Sequence, residues 1–209
     1  MSSSASIFTV GAIAIVRASQ AEVAVAQAET IVTAGLSVIE VSLVTPGALA
    51  LIERLTKLPG VIAGVGTALS TDQVRAAYDA GAQFVVSPNT DPMVISLTKN
   101  LGMTSVPGVS SGTEVAVAIA SGADILKLFP ASTYGPSHLR ALRDPFPDQK
   151  WAPTGGVQVE TIQDWWAAGA RIFGLGSALS TGGLAQIPTN VIRFLSVIQA
   201  CRSVDGDQR

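Results

Sequence analysis

Short apolar runs alternate with amphipathic segments along the whole chain. The runs fall at 11–17, 37–43, 61–67, 84–88, 104–109, 124–130, 151–157 and 171–177. They are short enough for strands and too apolar for strands with one wet face, so they read as strands covered on both sides. Helical spacing predicts helices at 19–34, 71–80, 91–101, 112–120, 160–168 and 187–202, with a shorter one around 136–142. Pro46 is placed to open a further helix at its first turn. Gly35, Gly81, Gly122 and Gly169 stand where helices stop. Strands that alternate with helices in this way form parallel βαβ units. Eight of them, at about 26 residues each, predict an α/β fold, a single-domain (β/α)8 TIM barrel over 1–209, shorter than the usual ~250 residues. The alternative is an open doubly wound sheet. That fold carries a glycine fingerprint after its first strand, and Val16-Arg17-Ala18-Ser19 has none. Asp207, Gln208 and Arg209 read as a frayed tail.

Composition narrows the class. Of 209 residues, 48% are hydrophobic and 13% charged, and the mean hydropathy is +0.44. Such a chain suits a buried parallel sheet, and it suits the loss of surface to an oligomer contact. No apolar stretch of about 18 residues occurs, so no transmembrane helix is expected. Met1-Ser2-Ser3-Ser4-Ala5-Ser6 lacks the basic start of a signal peptide. A net charge of -2 with no basic stripe argues against nucleic acid. The single cysteine, Cys201, excludes an internal disulfide and fits the cytoplasm. One cysteine and one histidine, His138, make a zinc site a poor expectation.

In a parallel barrel the ends of the strands build the active site, so polar residues inside apolar strands carry the chemistry. Lys127 lies in Asp124-Ile125-Leu126-Lys127-Leu128-Phe129-Pro130. Burying its ammonium is costly, which lowers its pKa and frees the amine as a nucleophile for a ketone. An edge lysine reaching out to water is the other reading. Glu40 is the matching carboxylate, inside Ser37-Val38-Ile39-Glu40-Val41-Ser42-Leu43. The two form either a structural ion pair or a nucleophile with its proton shuttle. Arg17, at the end of the first strand, suits a carboxylate clamp. Thr67 offers a hydroxyl to the same group, or caps a helix. Pro88 and Ser177 end strands four and eight, and Thr154 lies in strand seven. Strands seven and eight end in Gly155-Gly156 and Gly174-Leu175-Gly176-Ser177, at the usual phosphate corner of such barrels. His138 reads as surface or interface, and Trp165-Trp166 as core or subunit contact.

Five ordered motifs together resemble one family. They are Ile39-Glu40-Val41-Ser42-Leu43, Gly64-Val65-Gly66-Thr67, Val86-Ser87-Pro88-Asn89, Leu126-Lys127-Leu128-Phe129-Pro130-Ala131 and Pro153-Thr154-Gly155-Gly156-Val157. The chain resembles the 2-keto-3-deoxy-6-phosphogluconate / 4-hydroxy-2-oxoglutarate aldolases from about residue 13 to 177. The resemblance implies a class I aldolase without metal or other cofactor, usually a homotrimer, acting on a phosphorylated keto acid. Its products would be pyruvate and D-glyceraldehyde 3-phosphate. Lys127 would be the Schiff-base lysine and Glu40 the general acid/base. Thr67 and Pro88 would flank the pyruvate moiety and Phe129 the imine. Gly155, Gly156, Gly176 and Ser177 would hold the phosphate.

One departure matters. The gluconate-type members have an arginine four residues after the glutamate, and this chain has Val44. Ile15-Val16-Arg17 is instead similar to the 6-phosphogalactonate type, which makes Arg17 the expected clamp. Thr154 points back to the gluconate type. The alternatives are a 4-hydroxy-2-oxoglutarate aldolase yielding pyruvate and glyoxylate, a phosphosugar isomerase or epimerase, and a non-catalytic metabolite binder.

Overall fold

The computed structural model describes residues 3–207. In chain order the elements are α1 (Ser3–Val10), β1 (Ala12–Val16), α2 (Ala21–Thr33), β2 (Val38–Ser42), α3 (Ala48–Thr56) and β3 (Ile62–Gly66). There follow α4 (Thr71–Asp79), β4 (Phe84–Val86), α5 (Pro92–Asn100), β5 (Thr104–Val106), β6 (Gly108–Val109) and α6 (Gly112–Ala120). The last are β7 (Lys127–Leu128), α7 (Ala131–Arg143), α8 (Ile162–Ala167), β8 (Phe173–Leu175), α9 (Ser177–Ser180) and α10 (Ile187–Asp207). Six strands form one parallel sheet, β5-β4-β3-β2-β1-β8, curved into a half-barrel, and β6 pairs with β7 beside it.

Local sequence accounts for the helix ends. Ser70 caps α4 by accepting from the Gln73 N–H. Asp91 caps α5 by accepting from Met93 and Val94, with Pro92 in its first turn. Ser111 and Glu114 make a reciprocal capping box on α6. After α2, Gly35 takes φ 99, a conformation that costs other residues a steric penalty.

Several expectations need correction. The strand at 104–109 breaks into β5 and β6 at Pro107, which has no N–H for a ladder. The strand at 124–130 shortens to β7, and 151–157 makes only isolated bridges, Leu126 with Trp151 and Thr154 with Gly174. Pro153 removes a donor in that segment. Among the described residues the eight expected strands are therefore not all continuous. Pro46 does not open α3; Gly47, at φ 73, precedes its first residue, Ala48. The helix expected around 136–142 is part of α7, which is interrupted at Gly135 (φ 74, ψ 170). Helix α1 has no counterpart among the expected elements. Helix α10 runs through Asp207, where a frayed tail was expected; Gln208 and Arg209 lie outside the described residues.

The period-two alternation of strands sorts the apolar residues into two cores. An inner cluster joins Ile13, Val38, Phe84, Val86, Val106, Ile125, Ala152 and Ile172 with Ile7 of α1. An outer cluster sets Ala14, Val16, Ile39, Val41, Val65 and Leu128 against the helices. Counting on by two from the inner residues reaches Ile15 and Arg17, Glu40, Lys127, Thr154 and Gly174. The catalytic candidates thus continue the inner face toward the strand ends. Helix α1 packs at the other end, where Arg202 of α10 donates to the carbonyls of Phe8 and Thr9.

Candidate active site

A cavity of about 310 Å³ lies along that inner face. Its walls bring together Lys127, Glu40, Arg17, Thr67, Pro88 and Phe129 with Thr154, Gly155, Gly156, Gly176 and Ser177. Every residue expected at the site from the sequence therefore lines this one space.

Glu40 is 2% exposed and Lys127 is 6% exposed. Among the described residues no hydrogen bond or ion pair joins them directly, yet each perturbs the other. Burial raises the Glu40 pKa above the usual carboxylate value, against the lowering fields of Lys127 and Arg17. Burial lowers the Lys127 pKa, Glu40 pushes it back up, and Arg17 lowers it further. Both groups are thus drawn toward neutrality, the state a nucleophilic amine and a proton-carrying acid need. The Lys127 Nζ lies 4.9 Å from the centre of the Phe129 ring, which shields one flank of the amine.

The neighbouring strands are shaped around these groups. A Cβ on Gly66 of β3 would meet the Glu40 carboxyl, and one on Gly174 of β8 would meet the Thr154 side chain. Thr154 is buried, and its Oγ1 donates to the Ala152 carbonyl at 3.1 Å. Its hydroxyl is left as an acceptor toward the cavity. Gly155 and Gly156 take φ 87 and φ 83 in succession, which L side chains rarely adopt. A Cβ at Gly155 would press on the Phe129 ring, and one at Gly156 on Ser132.

Arg17 is exposed at the rim of the cavity. Val44 is 61% exposed and does not line it. His138 lies outside the cavity, stacked on Tyr134 at 4.7 Å with Nε2 2.7 Å from the Ser110 carbonyl oxygen. Trp165 and Trp166 are buried in the outer core. Among the described residues no group of three or more His, Cys, Asp or Glu is arranged to hold a metal, and no helix is long and apolar enough to cross a membrane.

Two features escaped the sequence. Ser42, fully buried, lies 2.8 Å from Thr67 through their hydroxyl oxygens. Its signal was present, since it follows Glu40 by two and shares its face. Asn190 of α10 donates to the carbonyls of Leu179 and Thr181, both at 3.0 Å, and so pins α9 from behind. Nothing in the pattern of α10 marks that contact.

Comparison with known proteins agrees with this geometry. The family model for KDPG and KHG aldolase matches residues 5–192. A probable 2-dehydro-3-deoxy-6-phosphogalactonate aldolase of Rhizobium meliloti is 40% identical over 200 residues, 94% of either chain. The 2-dehydro-3-deoxy-6-phosphogalactonate aldolase of Escherichia coli is 35% identical over 82% of this chain and 85% of its own. The KDPG aldolase of Legionella pneumophila, solved with pyruvate captured as a covalent carbinolamine, superposes with a TM-score of 0.79 at 26% identity, over 97% of this chain and 98% of that one. The chain belongs to the KDPG and KHG aldolase family.

Proposed function

We propose that this protein is a class I aldolase that cleaves a 2-keto-3-deoxy-6-phospho sugar acid to pyruvate and D-glyceraldehyde 3-phosphate. The observation that carries the reading is the pairing of two desolvated groups, the Lys127 amine and the Glu40 carboxyl, in one cavity without a direct ion pair between them. The neutral amine attacks the C2 ketone. The carbinolamine loses water to give a cationic imine, with Glu40 supplying and removing protons. Glu40, through a water, then takes the proton of the C4 hydroxyl. The C3–C4 bond breaks, its electron pair passes to the imine as an enamine, and the aldehyde departs. Protonation at C3 and hydrolysis release pyruvate and restore the lysine.

Arg17 and Thr67 are assigned to the keto-acid carboxylate, with Pro88 beside it and Phe129 against the imine. The backbone N–H groups of Gly155 and Gly156, with Gly176 and Ser177, take the phosphate. A phosphate corner favours a phosphorylated substrate over 4-hydroxy-2-oxoglutarate. Residues 1–209 are assigned to one catalytic domain. Its closed eight-stranded barrel is supported by links across the short strands, Ile125 N–H to Ser105 O at 3.2 Å, Thr154 N–H to Leu128 O at 3.0 Å and Gly174 N–H to Pro153 O at 3.0 Å. A homotrimer is supported by the high hydropathy of the chain, and a cytoplasmic setting by the charged substrate, which does not cross membranes unaided.

Borohydride added with pyruvate is expected to trap a covalent adduct on Lys127, located by peptide mass spectrometry. An unmodified lysine would overturn the assignment. Pyruvate release from the gluconate and galactonate substrates, compared with and without EDTA, then gives the stereochemical preference and tests metal independence.

A further inference from the structure

The Ser42–Thr67 contact has a direction that its geometry alone does not give. The two hydroxyl oxygens are 2.8 Å apart and either can donate. Burial decides between them. Ser42 is 0% exposed, and among the described residues its hydroxyl has no other partner. If Thr67 donated, the Ser42 proton would be left buried without an acceptor, the costly outcome for a hydroxyl. Donation from Ser42 leaves no such orphan. A hydroxyl carries a single proton, so Thr67 then keeps its own, and Thr67 faces the cavity.

The backbone around Thr67 holds it in place for this. Thr67 takes φ 62, an unusual conformation for a β-branched residue. Its neighbours fix it from both sides. Leu43 N–H donates to the Gly66 carbonyl at 2.9 Å, and the Ser87 hydroxyl donates to the Ala68 carbonyl at 2.8 Å. Strain retained at a site lining a cavity is a mark of positioning for function.

We propose that Ser42 is a positioning residue that donates to Thr67 Oγ1 and so commits the Thr67 proton to the carboxylate of the bound keto acid. This rests on the reading of Thr67 as a carboxylate ligand. Removing the Ser42 hydroxyl frees Thr67 to turn and spend its proton elsewhere. The loss falls on binding of the keto acid and leaves the bond-making steps at Lys127 intact.

Exchange of the pyruvate methyl protons with deuterated water, followed by NMR, tests this without any aldehyde. Ser42→Ala is expected to raise the KM for pyruvate about tenfold, with kcat within about twofold, the effect of one lost polar contact. Ser42→Thr, which keeps the hydroxyl, is expected to stay near the native KM. Thr67→Val should match Ser42→Ala, and adding Ser42→Ala to it should cost nothing more. A native KM in Ser42→Ala, or penalties that multiply in the double variant, overturns the proposal. A native KM in Thr67→Val removes the carboxylate reading itself, and the proposal falls with it. If the alanine variant does not fold, Ser42→Gly removes the hydroxyl as well, and the same two outcomes apply.

Discussion

A Cβ atom on Gly66 would collide with Oε1 of Glu40. The glycine of β3 is therefore the floor on which the carboxyl of β2 rests. Gly66→Ala should fold, because the surrounding sheet is unchanged, but Glu40 must leave its place. Cleavage should drop about a hundredfold, the scale of losing a general acid/base. Steady-state turnover measures it; a native rate would mean that Glu40 works from another position.

The fields at the site predict an acid–base response with definite signs. Lys127 should react as an amine at a pH below that of an ordinary lysine, since burial favours its neutral form. Glu40 raises the Lys127 pKa, so Glu40→Gln should move its titration to lower pH. Arg17 lowers it, so Arg17→Gln should move it higher. Competitive labelling with acetic anhydride, read at Lys127 by mass spectrometry across pH, gives all three midpoints. Equal midpoints would show that the three groups do not share a field.

Arg17 should also act as an anion clamp. Arg17→Gln is expected to raise the KM for pyruvate in methyl exchange by about tenfold or more, since a bidentate charged contact is lost. Placing an arginine at position 44 in that variant, where Val44 now stands exposed, should recover part of the affinity. No change in KM would assign the carboxylate elsewhere.

Asn190 is outside the cavity lining, yet its two contacts tie α9, a turn of four residues also anchored by buried Leu179, to α10. Asn190→Ala should raise the KM for the phosphorylated substrate about tenfold, through displacement of Ser177. Methyl exchange of pyruvate, which carries no phosphate, should be native. An equal loss in both assays would indicate a general disturbance.

Thr154 presents a lone pair, because its proton is directed at the Ala152 carbonyl. Thr154→Val keeps the shape and removes the acceptor. The ratio of kcat/KM on the gluconate and galactonate substrates should shift by about tenfold as the C4 hydroxyl loses its partner. An unchanged ratio would separate Thr154 from stereochemical selection.

Much of this was legible in the chain itself. The strand–helix rhythm and the glycine stops placed most elements, because both express local backbone energetics. Lys127 and Glu40 stood out because ionisable groups are rare in apolar strands. What escaped depended on partners distant in sequence. Pro107 and Pro153 looked like strand residues until their missing donors broke the ladder. Ser42 looked like an ordinary strand serine until Thr67, 25 positions on, was seen to complete it. Asn190 reaches back 11 residues to Leu179 from a helix whose pattern speaks only of packing.

The two-residue alternation of β2 limits how this protein can change over time. Exchanging one aliphatic residue for another at Val41 alters only how the sheet sits beneath its helices. Deleting one residue within the strand ahead of position 40 is a different event, because it turns every later side chain over. The acid would then be pressed into oil and a valine handed to the substrate. Evolution of new specificities in this scaffold is thus channelled into point replacement and loop variation, with the length of the strand held constant.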